Sequence, residues 1–452
     1  MGYLLVRENA SPSPTGSFYL LLTLHSLSWL AVGNAVGLLL AVLLLAPSLN
    51  DLLGPLTYGR WVPVHLNIQL YGWCSMPLLG LLFLLFVPRS TPSRSPGWAV
   101  QAWSGALLFG CLSWLAGHSS GKVFLEWQGA ALLLFSANLL FLAGVLIQAY
   151  YVRSREELRD PSWNRMLSVA KWITLLALAA VPFGIYGAAS PAVYPSVNPD
   201  TGGPTGAGLV VSTLGLIPIL LAFPLVLGLK PRGSRYILAV PILVWVGNTV
   251  FYGLIGHGDH SHHDILQIAG MASLLVWGPL LYGYLKRYSW PESSRPWVAA
   301  FCAWGAFLLL TAVGMFLPGP LDRWKFTNAL VGHTHAAMAG MLSAFCMILL
   351  TNLLKPVAPA VRLDARSPFI RWQVGTALQV VVLMLLGTRE GTHARELFLS
   401  GAFANVAYVL RLVGGLLMFS ASIDWLRGVY AAYAALKIST AHTIRNPEKL
   451  RT

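Results

Sequence analysis

Residues 325–340 read KFTNALVGHTHAAMAG, and they place two histidines, His333 and His335, at the start of a long apolar run. A second apolar run opens in a similar way, since residues 61–73 read WVPVHLNIQLYGW and contain His65. Ionisable side chains inside such runs are costly in a membrane and mark functional sites. These two segments therefore predict both the environment of the chain and the place of its chemistry.

The composition indicates that lipid surrounds the chain. Of its 452 residues, 56% are hydrophobic and only 10% are charged, whereas a soluble protein has roughly a quarter of its residues charged. The net charge of +14 comes from basic residues in short loops, a distribution that argues against a nucleic-acid-binding face. Four cysteines lie within apolar runs and are interpreted as packing residues: Cys74, Cys111, Cys302 and Cys346.

Long apolar runs predict an all-α, polytopic membrane protein, because a spanning helix needs about 20 apolar residues. Twelve such runs cover residues 18–46, 62–88, 97–117, 123–152, 165–188, 207–229, 236–257, 265–286, 296–317, 329–354, 370–388 and 400–427. The predicted division is a cytoplasmic N-terminal segment at 1–17, a twelve-helix transmembrane domain at 18–430 and a cytoplasmic tail at 431–452.

The basic residues predict the orientation, because Lys and Arg collect on the cytoplasmic side of membrane proteins. With both termini in the cytoplasm, most of the 30 Lys and Arg fall inside. The predicted outer side carries only Arg60, Lys122, Arg323, Lys325, Arg389 and Arg395. Under this orientation His65, His333 and His335 all lie close to the outer face.

The spacing of the histidines indicates two cofactors. Residues two apart on a helix point about 200° from each other, so His333 and His335 face opposite directions and cannot ligate one metal. His65 completes an axial pair with one of them. A haem with two histidine ligands is suited to electron transfer, and a second haem with one protein ligand has an open face for a small ligand. The alternative for each single histidine is a packed, hydrogen-bonded structural role.

The quoted segments resemble subunit I of the haem-copper oxidases, most closely the cbb-type cytochrome c oxidases and the nitric oxide reductases. LTYGRWVPVHLN is similar to the family segment that holds a low-spin haem ligand, and KFTNALVGHTHAAMAG to the segment that holds both remaining haem ligands. The resemblance implies that His65 and His335 bind the low-spin haem and that His333 binds the high-spin haem. It also implies that Glu126, in KVFLEW, lies near haem propionates and a calcium site.

The same resemblance implies two b-type haems, a bacterial inner membrane, and partner subunits that carry cytochrome c or copper domains. The chain contains no CxxCH, the motif that attaches a c-type haem. Arg60 and Arg411 are candidate partners of haem propionates, since Arg pairs well with carboxylates. For Arg60 the alternative is an interfacial arginine that extends its charge toward water.

A third metal, copper or non-haem iron, is where the chain departs from the family. The family takes ligands from a histidine on helix 6 and a histidine pair at the end of helix 7, but no histidine occurs between His118 and His257. Residues 257–263 read HGDHSHH and contain His257, His260, His262 and His263. This cluster is a surface metal site, a solvated loop or a displaced remnant of the family site. The second functional hypothesis, a transporter or metal-handling membrane protein, depends on the same cluster.

Overall fold

A computed structural model describes residues 14–88, 95–159, 164–190, 206–233, 237–255, 263–393 and 401–445. Helices dominate this part of the chain, and its one isolated β-bridge joins Pro231 to Tyr288. The twelve main helices, in chain order, are α1 Pro14–Leu45, α2 Tyr58–Phe86, α3 Ser95–Leu115, α4 Gly129–Glu157, α5 Arg165–Ala189, α6 Gly206–Val226, α7 Ala239–Leu254, α8 Ile265–Leu285, α9 Arg295–Met315, α10 Asn328–Leu354, α11 Arg366–Thr392 and α12 Ala402–Arg445.

The prediction of a polytopic, all-helical membrane protein is confirmed for the described residues. Nine of their helices are long and apolar enough to cross a membrane. Helix α3 is not among them, and the apolar parts of α6 and α7, Val210–Val226 and Ala239–Leu254, are shorter than the other nine. Twelve spans therefore remain a prediction, although a helix occupies part of every predicted run.

Two predicted boundaries differ from the structure. The run 123–152 was expected to be helical from its start, but α4 begins at Gly129 and residues 116–128 form a non-helical connection. Phe124 in this connection has a φ of 63°, a conformation that ends regular helix geometry. The last run was expected to end at 427, but α12 continues to Arg445, within the segment predicted to be a tail.

Helix α10 lies at the centre of the bundle. In its most apolar window 78% of the residues are buried, compared with 17% for α5 at the periphery. Both α10 and α2 contain a π-helical segment, Ala336–Leu342 and Ile68–Cys74. Each segment begins within three residues of a histidine of the quoted motifs, and π-bulges occur frequently at functional sites.

A serine at the end of each π segment satisfies a carbonyl that the wider turn exposes. The Ser75 hydroxyl donates to Leu70 O at 2.8 Å, and the Ser343 hydroxyl donates to Met338 O at 2.8 Å. Trp73 Nε1 then donates to Ser343 Oγ at 2.7 Å. The two π segments are thus joined directly across the α2–α10 interface.

Small residues allow α11 and α12 to pack closely, as in many membrane bundles. A Cβ atom at Gly375 would lie 2.6 Å from Gly414 O and 2.7 Å from Met418 Cγ. Glycine at this position therefore lets the two helix backbones approach each other.

We expect Gly375→Ala to lower the unfolding temperature in detergent, since inserting a methyl group into a packed interface costs about 1–3 kcal/mol. Gly144→Ala is the matched control, because a Cβ at Gly144 would meet no atom within 4 Å. Thermal unfolding followed by tryptophan fluorescence measures both variants. Equal unfolding temperatures for the two variants would contradict the close α11–α12 contact.

Candidate functional site

His65 and His335 line one cavity of about 410 Å³, a volume in the range of small-molecule and cofactor pockets. Helices α1, α2, α10, α11 and α12 enclose this cavity, which we call the first cavity. Val123 and Phe124 of the connection before α4 also line it. The structure thus brings together two histidines that are 270 residues apart in the chain.

Both histidines of the first cavity have one ring nitrogen engaged by a backbone carbonyl. His65 Nδ1 donates to Gly33 O at 2.9 Å, and His335 Nδ1 donates to Val331 O at 2.8 Å. Since a carbonyl can only accept, each Nδ1 carries the proton and each Nε2 is left as the nitrogen that can bind a metal. Metal-binding histidines almost always show this arrangement.

Glycine in α1 makes room for the His65 ring. A Cβ at Gly37 would lie 2.9 Å from His65 Cε1, so the imidazole packs directly on the α1 backbone. Gly33, one turn earlier, supplies the carbonyl that accepts from His65. Helix α1 therefore holds the orientation of a side chain that α2 carries.

His333 lines a different cavity, of about 560 Å³, between α6, α8, α9 and α10. We call it the second cavity. His333 Nδ1 contacts Thr311 Oγ1 at 3.1 Å, and the Thr311 hydroxyl donates to Phe307 O at 2.9 Å. The Thr311 oxygen therefore accepts from His333 Nδ1, and Nε2 is again the nitrogen left for a metal.

The second cavity is mostly apolar. Within the described part of the chain, His333 is the one histidine among its lining residues, and the sulfur-containing lining residues are Cys302 and Met341. Its remaining polar lining side chains are Ser212, Thr213, Trp277 and Tyr282. The described lining offers no set of nitrogen donors for a copper ion facing His333, whereas copper sites are built from several such donors.

Of the histidine cluster at 257–263, three members lie outside the described residues: His257, His260 and His262. His263 is described, and its Nε2 lies 3.4 Å from Asp322 Oδ2 with over half of its side chain exposed. Among the residues that the structure describes, no group of three or more His, Cys, Asp and Glu is placed to hold a metal ion.

The two candidate arginines occupy different surroundings. Arg411 of α12 is buried and lines the first cavity together with Tyr58. Arg60 is absent from the described lining of either cavity. Its guanidinium lies over Gly117, where an added Cβ would coincide with Nη1. Nη1 of Arg60 is buried without a hydrogen-bond partner in the described part of the chain. It is therefore a donor that can bind an acceptor from outside the described residues.

Glu126 does not line the first cavity, but it fixes the connection that does. Its Oε2 accepts from Asn67 Nδ2 at 2.7 Å, and its backbone carbonyl accepts from Trp114 Nε1 at 2.9 Å. Burial raises the pKa of Glu126 to about 7, while the hydrogen bond from Asn67 acts in the opposite direction. The carboxyl group therefore connects residues 116–128 to Asn67 of α2, which lies two residues after His65.

Several residues of the site escape sequence reasoning. Thr311, Gly33 and Gly37 act on histidines of other helices, and Asn67 binds Glu126 across 59 residues of chain. A threonine or glycine in an apolar run is common in membrane helices. The signal that could have found Gly33 and Gly37 is their spacing of one helical turn on α1.

Comparison with known proteins gives two distant relatives. The chain is 22% identical over 442 residues to the "Cbb3-type cytochrome c oxidase subunit CcoN1" of Stutzerimonas stutzeri, covering 87% of this chain and 89% of the relative. It is 21% identical over 482 residues to the "Cytochrome c oxidase subunit 1 homolog" of Azorhizobium caulinodans, covering 94% of this chain and 82% of the relative. No protein-family model matches the chain.

The resemblance to haem-copper oxidase subunit I is therefore confirmed over most of the chain, at low identity. The relatives are similar nearly from end to end, so the likeness extends beyond the two histidine motifs. It supports the superfamily and leaves the ligands and the reaction to be argued from the residues.

The buried carboxyl of Glu126 makes a stability prediction. With a folded pKa of about 7 against an ordinary value of 4.5, the folded protein keeps a proton that the unfolded chain loses. Stability should therefore fall as the pH rises from about 4.5 to 7. Glu126→Gln should flatten this part of the profile of unfolding temperature against pH.

Glu292→Gln is the control for the Glu126 measurement, since Glu292 is exposed at the start of α9. It should leave the pH profile of the wild-type protein unchanged. A Glu126→Gln profile that keeps the wild-type slope between pH 4.5 and 7 would show that this carboxyl is not the group that titrates.

Proposed function

Because the chain is a distant relative of haem-copper oxidase subunit I, we propose that it binds two b-type haems and carries electrons from one to the other within the membrane. The observation that supports this most directly is the state of His65, His333 and His335. Each has Nδ1 engaged by an oxygen acceptor and lines a cavity of cofactor size. Haem supplies the one-electron chemistry, and the protein supplies ligands, orientation and electrostatics.

In this proposal His65 and His335 hold the low-spin haem in the first cavity. Arg411 and Lys325 are the cationic side chains that line this cavity, so they are our candidates for the propionate groups. A buried arginine among membrane helices needs an anionic or hydrogen-bonding partner, and Tyr58 beside Arg411 supplies part of it. Arg60, whose buried Nη1 lacks a partner among the described residues, is the candidate for a propionate that extends beyond this lining.

In this proposal His333 would hold the second haem, and the apolar space of the second cavity, which His333 lines, would admit a further ligand. That space suits a small gaseous ligand, since the described lining has few polar groups. No histidine occurs on helix 6, and the described part of this lining holds no second histidine. We therefore propose electron transfer with gas binding at the second haem, and not reduction of oxygen or nitric oxide at a binuclear centre.

Calcium near Glu126 fits less well. The Glu126 carboxyl accepts from Asn67 Nδ2, and among the described residues no group of three or more His, Cys, Asp and Glu is placed to hold a metal ion. Calcium takes six to eight oxygen ligands. We propose instead that Glu126 acts as a structural clamp on residues 116–128.

The electron donor in this proposal is a partner subunit at the outer face. A cytochrome c or copper-domain subunit would suit the position of the low-spin haem. We propose the bacterial inner membrane as the location because the similar proteins are bacterial oxidase subunits. From the distribution of Lys and Arg we propose that both termini lie in the cytoplasm.

Optical spectra of the purified, dithionite-reduced protein test the proposal. We expect the alpha bands of two b-type haems, with carbon monoxide shifting only one. His333→Ala should abolish the shift by carbon monoxide and spare the low-spin spectrum. His65→Ala and His335→Ala should each remove the low-spin spectrum.

Metal analysis of the same sample completes this test, with two irons expected per chain and copper far below one. His118→Ala is the control, because His118 lies in the connection after α3 and lines neither cavity. A reduced spectrum without haem bands would end the proposal. Equimolar copper or a third iron, together with oxygen consumption, would overturn its second part.

The contact between Thr311 and His333 gives a second prediction. Thr311→Val keeps the side-chain shape and removes the acceptor of His333 Nδ1, and loss of such a partner typically weakens metal binding about 10–100-fold. Retention of the carbon monoxide-reactive haem during dilution should fall accordingly, with the low-spin haem unaffected.

Thr174→Val is the matched control for Thr311→Val, since the Thr174 hydroxyl also donates to a carbonyl one turn earlier but is exposed on α5. It should behave as the wild-type protein. Equal haem retention in both valine variants would show that Thr311 does not support His333.

A further inference from the structure

Helix α11 carries a buried carboxylate that neither haem cavity uses. Glu390 is 6% exposed and lies in the last turn of α11. Its Oε2 accepts from the Asn328 backbone N–H at 2.8 Å, and its Oε1 accepts from Asn328 Nδ2 at 2.6 Å. Both oxygens accept hydrogen bonds, an arrangement that suits an ionised carboxylate.

Glycine brings this carboxylate against the start of α10. A Cβ at Gly387 would lie 1.8 Å from Ala329 N, and one at Gly391 would lie 2.6 Å from Arg323 O. The last turn of α11 is therefore in backbone contact with residues on both sides of Asn328. Any larger residue at these two glycines would push α11 away from the first turn of α10.

Asn328 is the first residue of α10, the helix that carries two haem ligands in the proposed function. His333 and His335 follow it by five and seven residues, or about 7.5 and 10.5 Å along the axis at 1.5 Å per residue. Lys325 and Thr327, just before Asn328, line the first cavity. The carboxylate thus lies beside the end of α10 that borders the first cavity.

Opposite charges flank the same region. Tyr408 of α12 lies within electrostatic reach of both Glu390 and Arg411, and Arg411 lines the first cavity. Glu390 is hydrogen-bonded to Asn328 at the N-terminus of α10. A helix N-terminus favours a negative charge. Because the surroundings are apolar and low in dielectric, such a fixed charge acts over a longer distance than it would in water.

We propose that Glu390 is a positioning and electrostatic residue of the low-spin haem, holding the start of α10 and lowering the reduction potential of the haem between His65 and His335. A fixed negative charge stabilises the ferric, more positive state over the ferrous state. Arg411 acts in the opposite sense. This inference rests on the proposed function, because it presupposes haem in the first cavity.

Redox titration of the purified haem-loaded protein tests this inference, with the low-spin alpha band followed separately from the carbon monoxide-reactive haem. Glu390→Gln removes one negative charge at nearly constant shape. We expect a positive shift of the low-spin midpoint potential, larger than any shift of the second haem. Asp424→Asn is the charge-matched control, because Asp424 pairs with Arg371, is 45% exposed and lies about 20 Å along α12 from Arg411. It should leave both potentials unchanged.

A low-spin potential in Glu390→Gln equal to that of the wild type overturns the inference. If Glu390→Gln yields no haem-loaded protein, Glu390→Asp decides, since it keeps the charge. Restored haem loading in Glu390→Asp supports the role of the charge, and loading as poor as in Glu390→Gln overturns it. Absence of haem from the wild-type protein would be a failure of the proposed function itself, and is distinguishable from all these outcomes.

Discussion

The hydrogen bond that engages one ring nitrogen in each of His65, His335 and His333 is the interaction on which the site depends. A histidine inside a lipid-facing bundle is stable only if its N–H group has an acceptor. Gly33 O, Val331 O and Thr311 Oγ1 are those acceptors. They leave Nε2 of His65, His335 and His333 without a proton, which is the form that binds a metal. The same contact therefore makes each histidine tolerable in the membrane and prepares it as a ligand.

The rest of the bundle holds these three histidines in their relative positions. The π segments begin within three residues of His65 and His335 and are joined by the bond from Trp73 to Ser343. Glycines on α1 and α11 bring neighbouring backbones close enough to supply acceptors and to hold helix ends. Since membrane helices gain little from apolar burial against each other, close packing and such interhelical hydrogen bonds set their arrangement.

Sequence reasoning was successful where a helical repeat decides the outcome. The two-residue spacing of His333 and His335 predicts opposite faces, and these residues line different cavities. It did not predict contacts that depend on packing. Thr311 and Glu390 meet their partners across 22 and 62 residues of chain, and nothing in their local sequence marks them. The apolar residues 123–125 predict too early a start for α4. In the structure they belong to a connection that binds α2 through Glu126.

At the second cavity the residues that the fold provides differ from those that a paired-metal reaction requires. The histidine of α10 is present, while the other described lining residues are mostly Leu, Ile, Ala and Phe, with a few hydroxyl groups and the sulfur atoms of Cys302 and Met341. A metal ion facing His333 would need several nitrogen or sulfur donors at ligand distance, and apolar walls stabilise a neutral ligand instead. Similarity to cytochrome c oxidase subunits along nearly the whole chain fixes the scaffold, but reactions depend on the side chains at a site. By that criterion the proposed electron transfer between two haems depends on His65, His335 and His333, and the proposed binding of a small neutral molecule depends on the apolar described walls of the second cavity.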